Sequence, residues 1–386
     1  MFDPEEIPEL KRVIRECALA DRKILDDLIK DVQILRSDVK SIKPRNVTSI
    51  SLVASDGGNN KLAYDPFYFQ LVRVVDSNGK QLCLDTISPT TDTDVLSDRQ
   101  FNADGSPKTK LGQMMFDLGC KKLYELSPMI PKGELIRTTP ERVSTSWVLV
   151  YRDICEWAVL YHKICHSNFA NNTLIVLDGL LRSKLFSKNL FIEMGEKISS
   201  AIDRIYKDER VKVFLVGVAK HSKVLDKYGL AISIENIIPT GEPRYVFIPR
   251  NLQAKAYVWP EYSKGVGDEE SGEGEAPKFV IGDMFFVRFG KMSGDPIWIV
   301  DTFYKHKDLD QEIFGYLLAD AINGFPVPYY PLCLQRAHEY AQVVDFDMDI
   351  LQDEVVKAIK EILPKEAQEI IDQKVFNSDK SQNRYG

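Results

Sequence analysis

Val47-Thr48-Ser49-Ile50-Ser51-Leu52-Val53-Ala54-Ser55-Asp56-Gly57-Gly58-Asn59-Asn60 is the stretch whose reading decides the fold. β-Branched and aliphatic residues over 47–53 predict a buried strand, and Gly57-Gly58 predicts a tight turn that ends it. Asp56 then stands at the carboxyl end of a central strand, where open α/β sheets place their ligands. Thr173-Leu174-Ile175-Val176-Leu177-Asp178-Gly179 repeats the pattern. Taken singly, an Asp-Gly after a strand is an ordinary turn. Two such strands ending at the same rim bring two carboxylates side by side, which calls for a cation between them. Oxygen donors of this kind suit magnesium or manganese.

The elements around these two strands predict how they pair. Residues 67–76 and 80–87 are apolar runs joined by Ser77-Asn78-Gly79, a strong hairpin signal. Residues 88–110 are polar and irregular, and 110–126 read as helix. Residues 141–165 predict a buried helix, since apolar side chains from Trp147 to Tyr161 cover nearly its whole circumference. Arg152, Glu156 and Lys163 fall on one narrow stripe of it. After the Asp178 strand come a helix near 186–208 and a strand over 211–218. The order strand, strand, strand, helix, strand, helix, strand is that of a ribonuclease H-like core, an α/β fold with a mixed sheet flanked by helices. In that architecture the first and fourth strands are neighbours and the first helix crosses near their carboxyl ends, so Asp56, Asp178 and Glu156 converge.

Flanking regions extend this core. Residues 8–40 read as one long amphipathic helix, placed to pack on the body or on a second subunit. Residues 262–278 are rich in Gly and acids and read as a mobile insertion. Residues 279–289 and 296–303 predict strands, 308–321 a helix, and 331–344 a helix opened by Pro331. The polar end, 376–386, reads as frayed. The expected organisation is a helix over 1–44, a catalytic domain over 45–345 with insertions at 88–140 and 262–278, and C-terminal helices over 346–386.

At 386 residues the chain has ample core, and its 44% hydrophobic and 28% charged composition is that of an ordinary globular protein. A net charge of -7 gives no overall basic signature, so a nucleic-acid partner has to be met by a local basic groove. The six cysteines lack CxxC spacing, which predicts reduced thiols and no zinc site. The start of the sequence has no signal-peptide pattern, and no apolar run is long enough for a membrane span. A cytoplasmic protein is expected. Lys220, Arg182 and Lys184 follow strands where phosphates would lie. His338 and Tyr330, read alone, are surface or packing residues, and the other histidines show no ligand spacing.

Five pieces in order resemble the NurA nuclease family: Ser55-Asp56-Gly57-Gly58; Arg152 with Glu156; Leu177-Asp178-Gly179; Gly217-Val218-Ala219-Lys220-His221-Ser222; and the run Tyr330 to His338. The resemblance spans roughly 45–345. It implies Mn²⁺- or Mg²⁺-dependent DNA cleavage on a two-ion site, with 5′-to-3′ exonuclease and single-strand endonuclease activity in DNA end processing. A homodimer and a HerA-type hexameric ATPase are the implied partners, with single- and double-stranded DNA as substrate. By motif position Asp56, Glu156, Asp178 and His338 are implied metal ligands and Lys220 a catalytic cation. Tyr330 takes an implied supporting role, and Arg152, Arg182, Lys184, Lys220 and Tyr330 are the expected DNA contacts. An actin-like ATPase or kinase is a second reading of Asp-Gly-Gly after a strand, but it needs two such halves. A non-catalytic scaffold for an ATPase is a third.

Overall fold

The computed structural model describes residues 6–45, 51–64, 67–266, 277–342, 345–365 and 368, with the side chains of 51–64, 260 and 345–348 outside that description. The strands are β1 Lys40–Ser41, β2 Ser51–Tyr64, β3 Phe67–Asp76, β4 Gln81–Ile87, β5 Thr173–Asp178, β6 Val213–Ala219, β7 Arg244–Phe247, β8 Gly282–Arg288 and β9 Ile297–Phe303. They form one sheet in the order β1-β7-β8-β9-β6-β5-β2-β3-β4. Within it, β4-β3-β2 are antiparallel and β5 and β6 run parallel to β2. This is the ribonuclease H-like core, with β2 and β5 adjacent as expected. The β9-β8-β7-β1 half continues antiparallel from β6.

Helices α1 Ile7–Ala20 and α2 Arg22–Gln33 precede the sheet, and α3 Thr93–Asp98, α4 Lys110–Asp117, α5 Leu123–Leu126 and α6 Gly133–Thr138 follow β4. The crossing helix is α7 Trp147–Cys165, then α8 Leu190–Glu209, α9 Lys223–Ile234 and α10 Arg250–Ala256. The chain continues through α11 Asp310–Ala321, α12 Leu332–Ala341 and α13 Asp345–Ile362. β5 is buried on both faces, as a central parallel strand should be. Its Ile175 and Leu177 join α7 and α8 in the largest apolar cluster, while Leu174 and Val176 face the cluster built with α11 and α12.

Several expectations are corrected. Gly57-Gly58 does not end β2: the strand runs on, with Gly57 opposite Val74 and Gly58 opposite Arg73. Glycine in a strand leaves room for another element, and α12 packs along β2 here. The single helix over 8–40 is two helices that break at Asp21 and stop at Gln33. Val32 and Leu35 bury against α9, whereas α1 buries no residue. The buried helix begins at Trp147, six residues after 141, behind a 3-10 turn at Pro140–Arg142. Residues 93–98, read as irregular, are helical because Asp92 caps the Asp94 amide. α9, β7 and α10 were not expected at all. The 262–278 insertion starts too early: Ser263 and Gly265 are buried, and 267–276 lie outside the described residues, as do 376–386.

His306 shows how tightly this core excludes charge. It is 3% exposed, its ring meets Phe214 and Phe303, and its Nε2 accepts the Leu215 amide at 2.9 Å. Burial pushes its pKa down to about 4. The unfolded chain takes up a proton on this imidazole below about pH 6.5, while the folded chain resists until about 4. The contribution is therefore intact above about pH 6.5 and is lost as pH falls through 4, by about 3 kcal/mol. Urea midpoints between pH 7 and 4 should show this slope, and His306→Gln should flatten it. An NMR titration placing His306 near 6.5 would contradict the assignment.

Candidate active site

β5 delivers Asp178 to the rim of the sheet, where two side chains hold its carboxylate. Lys220, one residue past the end of β6, donates to Oδ2 at 2.8 Å. Tyr330 donates to Oδ1 at 2.9 Å and lies 3.3 Å from the Val218 carbonyl. Tyr330 is fully buried, edge-on to Trp298 with ring centroids 4.9 Å apart. The Lys220 ammonium sits 5.1 Å above the Tyr330 ring. Tyr330 is therefore a positioning residue for Asp178 and has no surface left for DNA, contrary to the contact expected from sequence. Read from its neighbour Pro331 alone, Tyr330 is a packing residue, and that reading is the one its burial bears out.

α7 supplies the second carboxylate. Its sparse polar stripe is half-buried, and Arg152 lies 3.5 Å from Glu156 and 2.6 Å from Asp153. Arg152, Asp153, Glu156, Asp178 and Lys184 all line one cavity of about 740 Å³. Asp56 is placed by backbone register. β2 pairs with β5 from Ser51↔Thr173 to Ser55↔Leu177, so Asp56 is the next residue, level with Asp178. Ser55 is also where the pairing of β2 with β3 begins, so Asp56 stands where β2 leaves β5 behind.

The segment after β5 is shaped by a buried ion pair. Arg182 donates from Nε and Nη2 to the two oxygens of Asp301 on β9, both at 2.9 Å, and neither side chain has any exposure. Asp301 also accepts the Leu181 amide at 3.0 Å. Arg182 Nη1 reaches Gln253 and the Tyr262 carbonyl. The guanidinium is fully engaged inside the protein, so the phosphate contact expected of Arg182 is not available to it. Gly217 makes this packing possible: a Cβ there would strike the Gly179 carbonyl. Lys184 does face the cavity, and burial together with the neighbouring Lys223 lowers its pKa.

His338 is carried by α12, which packs on β2. It is exposed on α12, near Gln342, and does not line the cavity. Lys223, Tyr257, Trp259 and Tyr262 line the cavity although sequence reasoning passed over them. The signal was Tyr257-Val258-Trp259-Pro260-Glu261-Tyr262, an aromatic cluster masked by the acid-rich run that follows it.

The chain is similar to NurA nucleases in structure. It matches the NurA nuclease from Sulfolobus solfataricus at 11% identity and a TM-score of 0.42, covering 94% of this chain and 99% of that one. NurA solved with manganese matches at 13% and 0.35, over 90% and 99% of the two chains. NurA bound to dAMP and manganese matches at 11% and 0.37, over 96% and 100%. No family model and no curated protein matches. No described helix is long and apolar enough to cross a membrane.

Among the described residues, no group of three or more His, Cys, Asp or Glu is arranged to hold a metal ion. Asp178 and Glu156 bring carboxylates to one cavity, each beside a cationic side chain. Carboxylate oxygens of this kind are the donors a hard divalent cation takes.

Proposed function

We propose that this protein is a divalent-metal-dependent DNA nuclease. The observation that supports the reading is register: the parallel pairing of β2 with β5 runs to Ser55↔Leu177, which makes position 56 the neighbour of Asp178, and Asp178 lines one cavity with Glu156. Asp56, Glu156 and Asp178 would hold Mn²⁺ or Mg²⁺ in a two-ion site. When bound, such ions stabilise the charge that builds on a phosphoryl group under attack.

The chain's own residues do the rest. Tyr330 and Lys220 fix the direction of the Asp178 carboxylate, and Arg152, hydrogen-bonded to Asp153, offers its charge to Glu156 at 3.5 Å. Lys184 and Lys223 supply the local positive charge that a protein of net charge -7 needs to approach phosphates. His338 enters as a metal-associated residue through the sequence motif, from α12, which packs on the Asp56 strand. The same motif supports 5′-to-3′ exonuclease and single-strand endonuclease activity, a homodimer and a HerA-type ATPase partner.

Purified protein with end-labelled single- and double-stranded DNA tests this. Cleavage is expected with Mn²⁺ or Mg²⁺ and none in EDTA, with mononucleotides released from the 5′ end and stimulation by a HerA-type ATPase. Cleavage that persists in EDTA removes the metal from the reading. No cleavage under any divalent ion, with the ATPase still bound, favours the scaffold.

A further inference from the structure

The cavity has an apolar feature that phosphodiester cleavage alone does not require. Trp147, Trp157 and Trp298 are 7% exposed or less, but Trp259 is 61% exposed and its neighbour Val258 is 77% exposed. Both stand on the lining of the cavity that holds Asp178 and Glu156. A bare indole in water is a poor use of the largest apolar side chain, and isolated surface apolar residues gain meaning when a cavity and a charge pattern surround them.

The loop that presents Trp259 is firmly anchored. The Tyr257 amide bonds the Gln253 carbonyl at the end of α10, and the Tyr262 amide bonds the Trp259 carbonyl at 3.0 Å. Tyr262 donates its hydroxyl to the Arg182 carbonyl at 3.1 Å and accepts Arg182 Nη1 at its own carbonyl. The Tyr257 and Tyr262 rings pack edge to face at 4.9 Å. The indole is thus held in place by the buried Arg182 node.

The surroundings specify what the indole receives. The Lys184 ammonium lies 5.8 Å from the Trp259 ring and 4.6 Å from that of Tyr262, and Lys223 lines the same cavity. An aromatic face beside cations, opening onto carboxylates, is complementary to a nucleotide: base on the ring, phosphate on the lysines. Bases within a duplex have both faces covered by their neighbours, whereas an unpaired base has a face free. A volume of about 740 Å³ also lies within the range of small-ligand pockets, about 300–1,000 Å³.

We propose that Trp259 is a stacking platform for an unpaired nucleobase, which makes single strands and frayed ends the substrates this cavity selects. The proposal deepens the nuclease reading and rests on it. Alanine at such a position weakens single-strand binding about ten- to a hundredfold.

The test uses the full-length protein in EDTA, so that binding is measured without cleavage. Because the other three tryptophans are buried, the fluorescence accessible to acrylamide comes from Trp259. Adding oligothymidylate should quench and shield it, and Trp259→Phe should lose that signal while keeping most of the affinity. Trp259→Ala should weaken oligothymidylate binding by the stated factor, read by anisotropy of a labelled strand. Binding of a blunt hairpin duplex should change far less. Oligothymidylate that fails to bind, or binds without changing the indole signal and equally well to Trp259→Ala, overturns the proposal. Trp259-dependent binding supports it even if Mn²⁺ then produces no cut. That second result would sink the nuclease reading alone, so the two failures are distinguishable.

Discussion

Asp178→Asn is expected to lower Mn²⁺-dependent DNA cleavage by about a thousandfold. The amide keeps the size of the side chain and removes the charge that a cation and its phosphate depend on. Lewis-acid stabilisation is worth several kcal/mol, and about 4 kcal/mol corresponds to three decades of rate. Asp56→Asn should behave alike, since the β2–β5 register sets position 56 beside position 178. Tyr330→Phe provides the contrast. It deletes one hydrogen bond to Asp178 but keeps the ring against Trp298, so the fold survives and activity falls about ten- to a hundredfold. Initial rates on labelled DNA, with circular dichroism to confirm folding, give the answer. Full activity in Asp178→Asn would take the end of β5 out of the chemistry.

The second large effect is on stability. Arg182→Met should destabilise the protein by about 3–5 kcal/mol, because Asp301 would be left charged, unpaired and without exposure. Asp301→Leu should cost a similar amount by stranding the guanidinium. The double variant should cost much less than the sum, since a buried ion pair replaced whole by apolar groups of similar volume is often close to neutral. Urea midpoints of the four proteins measure this. Additive losses would mean that the two side chains do not act as a unit. Arg182→Met should also loosen Tyr262 and, with it, the loop that holds Trp259.

What the sequence made legible was what local pattern encodes. The alternation and burial of 173–178, the Asn78-Gly79 hairpin and the apolar circumference of α7 each dictate an element, and their order dictates which strands are neighbours. Less legible was anything fixed by a distant partner. Gly57-Gly58 reads as a turn because nothing nearby shows that β3 pairs across it. Arg182 reads as a phosphate ligand because Asp301 lies 119 positions away along the chain. Tyr330 reads as packing or contact, and only the carboxylate at 178, reached across 152 positions, decides its role. Trp259 was hidden for a compositional reason: the acidic run that begins just after it made the whole segment look solvent-filled.

The carboxylates and the indole sit on parts of the molecule with different freedom to vary. Asp178 ends a strand sealed in the core, and Glu156 rides a helix most of whose circumference is locked into the largest apolar cluster. Neither backbone can shift without disturbing the packed side chains around it. Trp259 is carried by a surface loop outside the sheet, where a replacement of the exposed side chain disturbs no packed core. Descendants of this chain are therefore free to change which nucleic acid they accept long before they can change what they do to it.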